Sequence, residues 1–67
     1  MIYEQTDPAN IWLIEHSLNT ISPVVNVWLD LPGGPTMVIP REISVIDEDN
    51  IRIIFTQPQT GGVAINI

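Results

Sequence analysis

The stretch NIWLIEHSLNT, residues 10–20, decides the fold. It holds one of the two tryptophans and the single histidine of a 67-residue chain. Two periodicities compete in it. Ile11, Ile14, Leu18 and Ile21 recur at helical spacing, and Asp7 followed by Pro8 offers an N-cap and a first-turn proline. Trp12, Ile14, His16 and Leu18 alternate as a strand requires. A helix here would stop at NTISP (19–23) after about three turns. Pattern alone leans towards the strand and leaves the helix open.

The residues around it read as strands. Ile, Val, Thr and aromatics dominate, while six prolines and four glycines cut the chain into short pieces. Runs of this kind bounded by Pro, Gly, Asn and Asp predict strands near 2–5, 11–16, 24–30, 36–39, 42–47, 51–56 and 63–67. In EISVID (42–47), Ile43 and Val45 share one face; in IRIIFT (51–56), Ile51, Ile53 and Phe55 do; in VAINI (63–67), Val63, Ile65 and Ile67 do. One apolar face at period two is what a half-buried antiparallel sheet requires. DEDN (47–50), LPGGP (31–35) and QPQTGG (57–62) carry turn chemistry. The expectation is an all-β domain, a small antiparallel sandwich or barrel of six to seven short strands, Ig-like in appearance.

Totals narrow the function. A chain of this length buries only about 60% of the surface its unfolded form exposes, so its own core is marginal. Small domains make up the deficit with disulfides, a metal or partner subunits. Cysteine is absent and there is one histidine, which removes disulfides and any zinc cluster. Partner chains are left, and a homo-oligomer, most simply a trimer, is expected. Eight acids against two arginines give a net charge of −6, which argues against nucleic acid and acidic membranes as partners. No apolar run approaches the roughly 20 residues of a membrane span, and MIYEQTDP lacks the pattern of a secretion signal.

Taken in order, IWLIEHSLNT, PVVNVWLD, a glycine turn, VIPREISVID, DNIRIIFTQP and GGVAINI resemble a small β-domain that recurs in bacteriophage virion proteins, in tail fibres and capsid-surface proteins. The matching positions include Trp12, His16, Leu18, Asn19, Asp30, Gly34, Ile39, Pro40, Asp47, Asn50, Phe55, Gly62 and Ala64. They span residues 11–67, and their order and spacing carry the likeness. LDLPGGPTM is longer than the turn of that pattern, and DEDN adds a residue before the Asn; both departures fall in loops, where insertions are tolerated. The resemblance implies strand for residues 11–16 and a virion role. Residues 1–10 lie outside it and are expected as an N-terminal arm that pairs with a neighbour by strand addition.

Each chemically suggestive residue has a plainer reading. A catalytic histidine needs a nucleophile or water to activate, and Ser17, adjacent in a strand, points to the opposite face from His16. His16 is therefore expected to end its strand and to hydrogen-bond loop backbone. DEDN lacks the roughly twelve-residue spread of a calcium loop. Glu15 with Glu42 or Asp30 could form a glycosidase pair, but nothing in the sequence places them together, and so short a chain leaves little room for a substrate cleft. No enzyme activity, catalytic residue, metal or cofactor is expected. Trp12 is expected in the core, and Trp28 divides evenly between core and interface. Candidate interface residues are Trp28, Asn26, Arg41, Arg52, Ile2 and Tyr3.

These readings converge on a non-enzymatic structural part of a virion, made in the host cytoplasm. It would be a decoration or cement protein on the capsid or, failing that, on the tail, with other virion proteins as partners. A receptor- or glycan-binding tip of a tail fibre is the alternative, with LPGGPTM (31–37) as its loop. A regulatory protein mimicking nucleic acid ranks last, because such mimics need denser acids.

Overall fold

The computed structural model describes every residue from Met1 to Ile67. Five strands form one antiparallel sheet: β1 (Ile2–Glu15), β2 (Val24–Leu31), β3 (Gly34–Val38), β4 (Glu42–Val45) and β5 (Asn50–Asn66). There is no helix. The deciding stretch is extended through Glu15, with Trp12 and Ile14 buried and Ile11, Leu13 and Glu15 exposed. Strand alternation prevails because β5 supplies a matching row: Trp12 lies opposite Ile53 and Ile14 opposite Ile51.

β5 is the centre of the fold. β1 runs along one side of it for most of its length. On the other side, β2 pairs with its C-terminal half and β4 with its N-terminal half, and β3 extends the sheet beyond β2. The β1–β5 ladder breaks in the middle. Thr6, Asp7 and Pro8 stand against Thr60 alone; on the other side of the Ala9–Gln59 pair, Asn10 stands against Phe55, Thr56, Gln57 and Pro58. Both prolines fall in these bulges, where a missing N–H costs no ladder bond. The carbonyl of Ala9, at the break, accepts the indole N–H of Trp12 at 2.9 Å.

The bulges change which residues of β1 face inward, from Tyr3 and Gln5 to Trp12 and Ile14. They also turn the two halves of the sheet toward each other. Trp12, Ile14, Ile51, Ile53 and Phe55 from one half and Val27, Leu29, Val63 and Ile65 from the other form a single buried cluster of nine. Trp12 is its hub, with ring centroids 4.7 Å from Phe55 and 6.4 Å from Tyr3. Burying each large apolar side chain contributes about 1.5–3 kcal/mol.

Three expectations are corrected. The strand count is five because 2–5 and 11–16 are one bulged strand, and so are 51–56 and 63–67. QPQTGG is a bend inside β5 and not a turn between strands. Residues 1–10 are no free arm. Ile2–Gln5 pair with Gly61–Ala64, the Ile65 N–H donates to the Met1 carbonyl at 2.9 Å, and the Met1 amino group donates to the Ile65 carbonyl at 2.6 Å. The first residues belong to the sheet, so no boundary divides residues 1–10 from 11–67.

Gly61 and Gly62 are present for space. A Cβ on Gly61 would lie 2.0 Å from the Trp28 carbonyl oxygen, and one on Gly62 would lie 2.2 Å from Trp28 Cζ2. The Trp28 indole rests over Gly62 on the outer face of the sheet.

Candidate functional site

Where β3 ends, the two halves of the sheet leave a gap. β3 covers β2 only from Val27 to Leu31, so Val24–Asn26 have no strand beside them on that side. The chain then crosses through Ile39–Arg41 to β4, which pairs with the other half of β5. Between them lies an open cavity of about 350 Å³ lined by Val25, Asn26, Val27, Met37, Val38, Ile39, Pro40 and Ile43. Val25, Val27 and Val38 share the inward row with Val63 and Ile65, and Ile43 shares the inward row with Ile53. The cavity is thus a mouth opening onto the apolar interior.

Its rim is exposed and apolar. Among its lining residues Ile39 is 97% exposed, Met37 61% and Ile43 42%; further along the chain Val45 and Ile46 are exposed as well. Arg41, one of the two cations, is exposed and follows the lining residue Pro40. β4 has no neighbour beyond β5, so its other edge is open, and so is the outer edge of β1. Unpaired edges of this kind are templates for pairing with another chain.

The candidate interface residues do not form one patch. Ile2, Asn26 and Trp28 lie on the outer face of one half-sheet: Ile2 and Asn26 flank Ala64, and Trp28 lies opposite Gly62. Tyr3 faces inward, half-buried against the core, and its hydroxyl donates to Gln5 Oε1. Arg52 lies on the outer face of the other half-sheet between Leu13 and Ser44, and its Nε is buried without a hydrogen-bond partner. Of the six, Asn26 alone lines the cavity, and Arg41 follows its lining residue Pro40 in the chain. The strip of Met37, Ile39, Val45 and Ile46 was not anticipated. Its signal was there in VIP and EISVI, two alternating runs on short segments, but alternation shows which residues share a face and not whether anything covers that face.

His16 directly follows β1 and is 5% exposed. Its Nδ1 accepts the Leu18 N–H at 3.1 Å, which leaves the proton of the neutral ring on Nε2, buried and without a partner. Ser17 and Asn19 take left-handed backbone, with φ of 56° and 52°, so the chain coils tightly around the imidazole. The loop is stitched to the β4–β5 turn. His16 N–H donates to the Asp49 carbonyl at 2.8 Å, Thr20 N–H to the Glu48 carbonyl at 2.8 Å, and Asn19 N–H to Asp49 Oδ1 at 3.0 Å.

The acids of that turn serve the backbone as well. Asp47 Oδ1 accepts the Asp49 N–H at 2.8 Å and the Asn50 side-chain amide at 2.9 Å. The Asp49 N–H first, and the Asn50 amide second, hold the Asp47 carboxyl below its ordinary range. No three His, Asp or Glu side chains are grouped so as to hold a metal ion.

Comparison with protein families, curated proteins and solved structures gives no match to this chain.

Proposed function

We propose that this protein is a non-enzymatic assembly part of a bacteriophage virion, a decoration or cement protein on the capsid surface or on the tail. It works by seating its apolar mouth on a repeated lattice of other virion proteins. One observation carries the reading: the strip from Met37 to Ile46 leaves Ile39 almost wholly in water beside an opening into the core. Burying such a rim against a partner returns about 25 cal/mol per Å² of apolar surface, and a chain this small gains most from that return. The two half-sheets facing across one core amount to a small sandwich, a rigid plug of 35 × 18 × 18 Å. The acidic surface fits a partner that is neither nucleic acid nor membrane, and the place of action is the virion, reached from the host cytoplasm.

A glycan-binding tip is the second reading, favoured by Trp28, half-buried on an outer face with the polar Asn26 two residues away on the same side. Copy counting by mass spectrometry of purified particles separates the two. Hundreds of copies are expected for a coat, and a handful would indicate a tip. Complete absence from particles would refute both.

A further inference from the structure

We propose that two copies of this chain pair antiparallel through the open edge of β4, with Ser44 opposite its own counterpart, so that Arg41 of each copy faces Asp47 of the other. This extends the assembly reading to a named partner and is tested apart from it, since the pair forms in solution whether or not particles contain the protein.

The backbone of β4 is set for it. Val45 lies opposite Ile51, and the Ile46 N–H donates to the Asn50 carbonyl at 3.0 Å, so Ile46 and Asn50 continue the same register. In an antiparallel pair, alternate residues turn their N–H and C=O to opposite sides. Ile46 bonds toward β5, hence so do Ser44 and Glu42, while Ile43 and Val45 present N–H and C=O to the open side. With Ser44 opposite Ser44, the outward groups of Ile43 meet those of the second copy's Val45, and the reverse, which closes four backbone bonds.

The side chains select the same register. Ile43 and Val45 are half-exposed because the inward rows Trp12–Ile53–Ile43 and Ile14–Ile51–Val45 stop at β4. In the proposed register each row continues into the other copy, Ile43 onto Val45. At the row ends Arg41 meets Asp47, one pair on each side of the two-fold axis. Shifting by one step to either side while keeping the inward faces together fails. Ile43 opposite Ile43 sets Arg41 against Val45, and Val45 opposite Val45 sets Ile43 against Asp47. Of these three registers, only the proposed one matches apolar with apolar and cation with anion along the inward row; on the outer face it sets Glu42 beside Ile46. That complementarity matters for two bodies of net charge −6. The other edges lack it. β1 carries no cation to meet its acids and is broken at Thr6–Pro8, and β3 carries Pro35. An edge that pairs with itself closes at two copies, in place of the trimer expected from sequence.

The test uses the whole chain. Ser44→Cys adds the sole thiol. A non-hydrogen-bonded antiparallel pair brings Cα atoms to about 4.5 Å, within disulfide range. Under mild oxidation Ser44→Cys should form a covalent dimer rapidly, while Ser22→Cys, on an exposed loop, should not. In sedimentation of the reduced chain, Arg41→Asp should weaken association roughly tenfold, two exposed pairs being changed from attraction to repulsion. Adding Asp47→Arg should restore it, and circular dichroism reports whether that turn variant folds. A monomer at high micromolar concentration, Ser44→Cys linking no faster than Ser22→Cys, or Arg41→Asp without effect on association would each overturn the proposal. If Asp47→Arg unfolds the chain, the thiol and Arg41→Asp results decide.

Discussion

Gly61 and Gly62 are neighbours of identical composition that face different obstacles, and substituting each by Ala separates them. At Gly62 the new methyl meets ring atoms of Trp28 at 2.2, 2.7 and 2.8 Å, against an ordinary carbon contact of about 3.5–4.0 Å. The ring lies on the outer face and can lift, so Gly62→Ala should cost about 1–3 kcal/mol, the usual range for overpacking. At Gly61 the methyl meets the Trp28 carbonyl oxygen at 2.0 Å and the Leu29 Cα at 2.9 Å. Backbone cannot step aside without parting β2 from β5, so Gly61→Ala should cost more than about 4 kcal/mol. A chain of 67 residues has roughly 3–10 kcal/mol in total, so the second variant stands near the unfolding threshold. Combining each with Trp28→Ala completes the cycle. Removing the indole should abolish the cost of Gly62→Ala and even reverse it by about 0.5 kcal/mol, since Ala suits a strand better than Gly. It should leave Gly61→Ala unrelieved, because alanine keeps the obstructing carbonyl. Urea denaturation followed by far-ultraviolet circular dichroism supplies the six free energies, four for each glycine. Equal costs at the two glycines, or relief of both by Trp28→Ala, would refute the packing described here.

Two further outcomes are expected. His16→Asn, which keeps an acceptor for the Leu18 N–H, should be more stable than His16→Leu, which leaves that amide unpaired at a cost of about 1–3 kcal/mol; denaturant midpoints with Leu at least as stable as Asn would contradict the role given to Nδ1. Asp47 is lowered in the folded state, so its contribution to stability is full above the unfolded carboxylate value and is lost as pH falls through the folded one. The stability difference between the native chain and Asp47→Asn should therefore be present at neutral pH and shrink in acid. A difference that is constant across that window would show that the Asp49 N–H and Asn50 amide do not favour the ionised form.

Much of the fold was legible because burial on one face writes itself into period two. Trp12 with Ile14, Ile51 with Ile53 and Phe55, and Val63 with Ile65 all stand out in the sequence and all lie in the core. What was not legible was continuity. Pro58, Gly61 and Gly62 read as a turn because Pro and Gly usually punctuate strands. Here Pro58 occupies a bulge, and the glycines make room for β2 to pass close by. The difference depends on residues about thirty positions away, which no local pattern contains. Residues 1–10 were misread for the same reason, since their partner lies at the far end of the chain. At the candidate site, Arg41 was visible as a rare cation, but the exposed strip around it was not. Whether Ile39 and Ile43 are covered depends on where β3 stops short of β2.

The most direct measurement is amide hydrogen exchange on the isolated chain and on the chain assembled in purified particles. The expected result is that Trp12, Ile53 and Val63 are already protected in the isolated protein, whereas Ile39, outside every strand and every ladder, exchanges quickly alone and slowly once assembled. Ile39 exchanging at the same rate in both states would contradict the claim that this strip is the seat of assembly.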